Sequence, residues 1–81
     1  MSLTKKAIIL TFPQELIKEP VIFKMARDFE IMPNIRRAKV DKTVGEVVLE
    51  LEGEESNIEK GINYLAKLGV KVEPVVGDII E

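Results

Sequence analysis

An α+β domain of element order β-α-β-β-α-β, a four-stranded antiparallel sheet with two helices on one face, is the fold class that the sequence predicts. Three observations predict it. Val47, Leu49 and Leu51 alternate with Glu46, Glu50 and Glu52, the period-two pattern of a strand with one buried face. Ile22, Met25, Ala26 and Phe29 recur at helical spacing, and so do Ile58, Gly61, Ile62, Leu65 and Leu68. Strand-like runs lie before, between and after these two stripes. A doubly wound fold needs more parallel crossovers than this length allows, and an all-β reading leaves both helical stripes unexplained.

Taken in order, Lys6 to Phe12 is β-branched and aromatic-rich, apolar on both alternating faces, and ends against Pro13, which reads as an interior strand. Pro13 to Glu19 is a connector, and Pro20 suits the first helical position, where its missing N–H would be unpaired in any case. The first helix follows, with Lys24, Arg27, Asp28 and Glu30 on its other faces. Pro33 is tolerated at the start of a second strand. In a regular strand Asn34, Arg36, Ala38 and Val40 point one way and Ile35, Arg37, Lys39 and Asp41 the other, so Arg36 and Arg37 are expected on opposite faces. Residues 41–45 supply a hairpin turn in which Gly45 can accept the positive φ that a four- or five-residue loop often needs. The second helix starts either at Ser56, where Ser56 and Glu59 match a capping box, or at Glu54; Gly69 stands where a left-handed cap belongs. Gly61 on the buried stripe implies a close approach of helix to sheet. Val70 to Glu73 is the last strand. The order is that of the ferredoxin-like split β-α-β fold, with residues 6–76 as its domain, 1–5 as a flexible or artificial N-terminal extension, and 77–81 as a tail.

A chain of 81 residues holds one domain and buries only about 60–65% of the surface of its unfolded form. Its 46% hydrophobic and 32% charged residues suit a folded soluble protein rather than a disordered one. Twelve basic against fourteen acidic residues lack the positive field of a phosphate-backbone binder, so nucleic acid is not an expected partner. With no cysteine and no histidine, thiol nucleophiles, iron–sulfur ligation and the commonest general base are absent from this sequence. No apolar run approaches the roughly 20 residues of a membrane span, and the start has no cleavable signal pattern, so a cytoplasmic protein without membrane insertion is expected.

Candidate chemistry is sparse. Glu50, Glu52, Glu54 and Glu55, with Asp78 and Glu81, form acidic clusters, but alternate strand positions do not converge on one cation and no calcium-loop pattern is present. No metal, cofactor or catalytic residue is assigned. Phe12, Phe23, Phe29 and Tyr64 are the only aromatic residues, and none lies in the third strand, where a single-strand RNA binder on this topology would stack bases. The uncovered sheet face is expected to carry Ile35, Arg37, Lys39, Glu46, Val48, Glu50 and Ile9, a mixture that either simply faces water or is covered by a second copy in a homodimer. Asn34 is a poor strand former whose amide has donors and an acceptor just after the first helix. It reads either as an Asx-type turn at the strand entry or as a ligand contact.

Leu10-Thr11-Phe12-Pro13, Glu19-Pro20-Val21-Ile22, Asn34-Ile35, Leu49-Glu50-Leu51-Glu52-Gly53-Glu54 and Leu68-Gly69-Val70-Lys71-Val72-Glu73, in this order, resemble the NIL domain, an ACT-like ferredoxin-fold module. The family is named for Asn-Ile-Leu; here Arg36 stands in the third position. The resemblance implies a non-catalytic regulatory module of methionine-importer ATPases, paired with its twin and sensing methionine or a related amino acid, with Asn34, Ile35 and Arg36 as ligand-binding residues. It also implies an alternative, since the same module precedes a ferredoxin segment in small proteins of sulfur or redox metabolism, where it serves docking or dimerisation. The start at the first strand and the run from Val72 to Ile80 favour this second setting. The expected partners are thus a second copy, a methionine-like amino acid, and a ferredoxin segment or a transporter.

Overall fold

The alternation that begins at Gly45 decides the architecture, because a ten-residue strand with its odd-numbered side chains all apolar or glycine has one face that must be covered. In the computed structural model, which describes residues 3–17 and 19–75, this strand is the sheet's interior partner to both the first and the second strands. The elements are β1 (Leu3–Phe12), a 3-10 turn (Gln14–Leu16), α1 (Val21–Phe29), β2 (Met32–Val40), β3 (Gly45–Glu54), α2 (Glu55–Leu68) and β4 (Lys71–Pro74). The sheet order is β2-β3-β1-β4 and every neighbouring pair is antiparallel. The expected α+β, ferredoxin-like sandwich is therefore the observed fold.

The core is what the patterns require. Ile8, Leu10 and Phe12 of β1 and Val47, Leu49 and Leu51 of β3 are buried with Val21 and Met25 of α1, Ile58 and Leu65 of α2, and Ile31 and Val70 of the connections. The helices meet through Phe29 and Tyr64, whose ring centroids lie 5.6 Å apart in a tilted arrangement. Gly61 is the point of closest approach. An added Cβ would lie 2.5 Å from Ile31 Cδ1 and 3.1 Å from Met25 Cγ, so the expected close contact is made to α1 and its exit rather than to the sheet.

Several local expectations differ from the structure. β1 starts at Leu3 and pairs with β3 along its whole length, Leu3 opposite Glu54. Pro20 caps α1 from outside, and the helix begins at Val21. Of the two starts open to α2, the structure takes the earlier, with Glu54 at the N-cap, so Ser56 lies inside the first turn. β4 is shifted by one residue to Lys71–Pro74, and its ladder with β1 is prolonged by the Val75 N–H donating to the Ala7 carbonyl at 3.1 Å. Gly69 takes the expected left-handed cap at φ 102°, and Glu30 takes the same conformation at φ 55° to end α1.

Gly45 does not adopt a positive φ. It is buried, opposite Val40 and Phe12, where a side chain would meet ordinary contacts at 3.6 Å and beyond. The hairpin turns instead on Asp41, whose Oδ1 accepts hydrogen bonds from the backbone N–H of Thr43 and of Val44, both at 2.8 Å, and from Thr43 Oγ1 at 3.1 Å. With the Asp41 backbone N–H donating to the Val44 carbonyl at 2.9 Å, this carboxylate organises the turn without a glycine in it. The tail expected at 77–81 lies outside the described residues. Among the described residues no helix is long and apolar enough to cross a membrane.

Candidate ligand site at the entry of the second strand

β2 is an edge strand whose register is broken once, between Ile35 and Arg37. Before the break Asn34 stands opposite Glu50 and Ile35 opposite Leu49; after it Arg37 stands opposite Val48 and Lys39 opposite Glu46. Residues directly opposite share a face. Asn34, Arg37 and Lys39 therefore all lie on the open face, while Ile35, Ala38 and Val40 lie on the helix side. This corrects two expectations. Ile35 is not on the open face, because the bulge reverses the parity of the strand's first half, and it is left 57% exposed on the helix side. Nor are the arginines sent to opposite faces, since the bulged Arg36 reaches the open face and its Nη2 donates to Glu50 Oε1 at 2.8 Å.

The bulge builds a concavity of about 360 Å³ on the open face at the start of β2. Asn34 and Arg36 line it from β2, Glu50 and Glu52 from β3, and Lys5 from β1, with Met32 and Pro33 closing one side. Glu52 stands opposite both Met32 and Lys5 in the ladders, which sets a carboxylate between a thioether and an ammonium. Two cations, two carboxylates and one amide thus meet within one small hollow. Asn34 makes no side-chain hydrogen bond among the described residues, so the Asx turn weighed for it is not present; that role belongs to Asp41. Of the three residues expected to bind a ligand, Asn34 and Arg36 share this hollow and Ile35 does not. Lys5, Glu50 and Glu52 were missed as partners because only the ladder registers bring them beside Asn34.

The chemistry open to this hollow is recognition by charge and hydrogen bonding. It offers hydrogen-bond donors for a carboxylate from Arg36, Lys5 and the Asn34 amide, and acceptors for an ammonium from Glu50 and Glu52. No group of three potential metal ligands is found among the described residues. A second hollow, of about 250 Å³, lies on the helix side between the 3-10 turn, the start of α1 and the β2–β3 hairpin. It is lined by Phe12, Leu16, Ile17, Val21 and Val47, with Glu19 as its charged lining residue. Leu16 and Ile17 in the connector were the available sequence signal for it.

Residues 6–74 match the NIL domain, and the chain belongs to that family. It is 33% identical over 76 residues to methionine import ATP-binding protein MetN 1 of Listeria monocytogenes, which covers 89% of this chain and 22% of the relative. It is 35% identical over 65 residues to the L-aspartate semialdehyde sulfurtransferase iron-sulfur subunit of Methanocaldococcus jannaschii, covering 80% of this chain and 50% of that protein. Among solved structures it is similar to the C-terminal domain of an ABC transporter ATP-binding protein from Enterococcus faecalis, with a TM-score of 0.77, 27% identity, and coverage of 90% of this chain and 86% of that one. The chain thus spans less than a quarter of the methionine-import relative and half of the iron-sulfur one.

Proposed function

We propose that this domain is a non-catalytic regulatory module that binds methionine or a related α-amino acid in the hollow at the entry of β2 and pairs with a second copy through its sheet. The observation that carries the reading is the composition of the hollow: Arg36 and Lys5 face Glu50 and Glu52 around the Asn34 amide. An α-amino acid presents one carboxylate and one ammonium on a single carbon, which is the charge pattern such a hollow complements. Met32 and Pro33 give its side chain an apolar wall. The methionine-import relatives and the transporter C-terminal domain support methionine as the first ligand to try and a cytoplasmic transporter ATPase as the kind of host. Pairing through the sheet is supported by the uncovered face beside the hollow and by β2, an edge strand with Met32, Ile35 and Val40 all exposed.

The test is calorimetry with L-methionine on the wild type and on Asn34→Ala, with sedimentation equilibrium to read the oligomeric state. Saturable heat from the wild type that weakens about tenfold or more in the variant is the expected result, on the scale of losing a hydrogen bond to a charged group. No heat from the wild type rules the reading out.

A second reading is favoured by the similarity to an iron-sulfur subunit over half of that protein's length. In it the domain docks or dimerises for a ferredoxin-type segment of sulfur or redox metabolism and binds no small molecule. Co-purification with the product of the natural gene's neighbours, together with an absence of methionine heat, would favour this reading; a strictly monomeric protein without a partner counts against it.

A further inference from the structure

We infer that Glu50 is the second half of the amino-acid site, and that a ligand enters by exchanging the Arg36–Glu50 ion pair for its own two charges. The inference rests on the reading of the hollow as an amino-acid site and adds how that site selects. Arg36 and Glu50 are joined by a single 2.8 Å contact between Nη2 and Oε1, without the two-point fork that a guanidinium and a carboxylate can form. Their side chains are 38% and 27% exposed, so the pair is partly hydrated and contributes little in its own right. It is therefore cheap to open. Both partners line the hollow, and Asn34, opposite Glu50 in the ladder, stands beside them with its amide unengaged among the described residues.

A zwitterion placed between them conserves every charge contact, because its carboxylate takes Arg36 and its ammonium takes Glu50. A molecule with only one of those charges engages only one of the two protein groups, so it gains one charge-assisted hydrogen bond where the zwitterion gains two. The empty site is thus closed on itself and discriminates for ligands that carry both charges at α-amino-acid spacing. The bulge places Arg36 for the exchange, since it is the residue without a ladder partner and its side chain still reaches Glu50. Arg36 and Glu50 are both specificity-determining residues in this account.

Calorimetry at low ionic strength tests it with three probes, L-methionine, N-acetyl-L-methionine and L-methionine methyl ester, on the wild type, Arg36→Leu, Glu50→Gln and Glu46→Gln. The expected result is that methionine binds the wild type and Glu46→Gln equally, while each blocked derivative and each of the first two variants loses at least tenfold in affinity. The Arg36 Nε–H resonance should shift as methionine saturates the wild type. Methionine binding that survives N-acetylation or Glu50→Gln unchanged overturns the exchange and leaves the amino-acid reading standing. An absence of binding by all three probes overturns both. The blocked ligands are tested on the wild type, so the outcome does not depend on any variant folding.

Discussion

Asn34 and Arg37, three positions apart in one strand, share the open face of the sheet because Arg36 is bulged between them. In an unbroken strand they would lie on opposite faces. The bulge costs little in packing, since β2 is an edge strand exposed at every position from Asn34 to Val40. Deleting Arg36 should therefore leave a folded domain that melts within roughly 4–8 °C of the wild type, the equivalent of about 1 kcal/mol in a domain this size. The same deletion should abolish methionine heat. Thermal melting and calorimetry on one preparation check both halves.

Gly61 is held between Met25 and Ile31, and both are buried. Replacing it by alanine sets two effects against each other. Helix propensity favours alanine by about 1 kcal/mol, while overpacking a filled core costs about 1–3 kcal/mol. Met25 and Ile31 are 0% and 4% exposed, so neither side chain has open space to move into. Gly61→Ala is expected to be net destabilising by about 1 kcal/mol, read by urea denaturation; a stabilised variant would show that the α1–α2 contact is looser than described.

Glu30 ends α1 in the left-handed conformation at φ 55°. Only glycine adopts that region without a steric penalty from Cβ, and Glu30 makes no side-chain hydrogen bond among the described residues to offset it. Glu30→Gly should raise stability by roughly 0.5–1 kcal/mol after allowing for glycine's greater chain entropy. The same denaturation series measures it.

The Asp41 carboxylate is held below its ordinary pKa, first by the Thr43 and Val44 backbone N–H groups and then by the Thr43 hydroxyl. A lowered folded-state pKa means that its contribution is complete above the unfolded value, near 3.9, and is lost as pH falls through the lower folded value. The Thr43 and Val44 amide resonances should therefore stay in their bonded positions down to about pH 4 and move only below it. In Asp41→Ala they should occupy the unbonded positions at neutral pH, with no acid titration.

Much of the fold was legible because strong periodicities leave few choices. The β3 alternation places Val47, Leu49 and Leu51 in the core and the helical stripes place Met25, Ile58 and Leu65 there, whereas Leu68 at the end of its stripe is exposed and Val21 and Ile31 are buried outside both patterns; Gly69 ends α2 as its position predicts. The misplacements have specific causes. A ladder bulge has no mark in the spacing of Asn34-Ile35-Arg36-Arg37, since neither face of β2 is apolar enough to reveal a change of parity. Asp41 and Gly45 compete as turn formers, and the carboxylate's three hydrogen bonds decide the matter without a positive φ. Gly61 reads as a close contact in either case, but only the packing says against what.

The candidate site divides along the same line. Asn34 could be singled out from the chain itself, because an amide is a poor strand former, whereas Arg36 was singled out only by the family resemblance, in which it stands in the third position of Asn-Ile-Leu. Lys5, Glu50 and Glu52 could not, being ordinary charged residues of alternating strands. The sequence by itself determined the fold class, the buried face of β3 and the family, through short-range patterns that one chain displays in full. Which charges share one hollow was decided by the tertiary structure, because strand register is a long-range pairing and a single bulged residue shifts it.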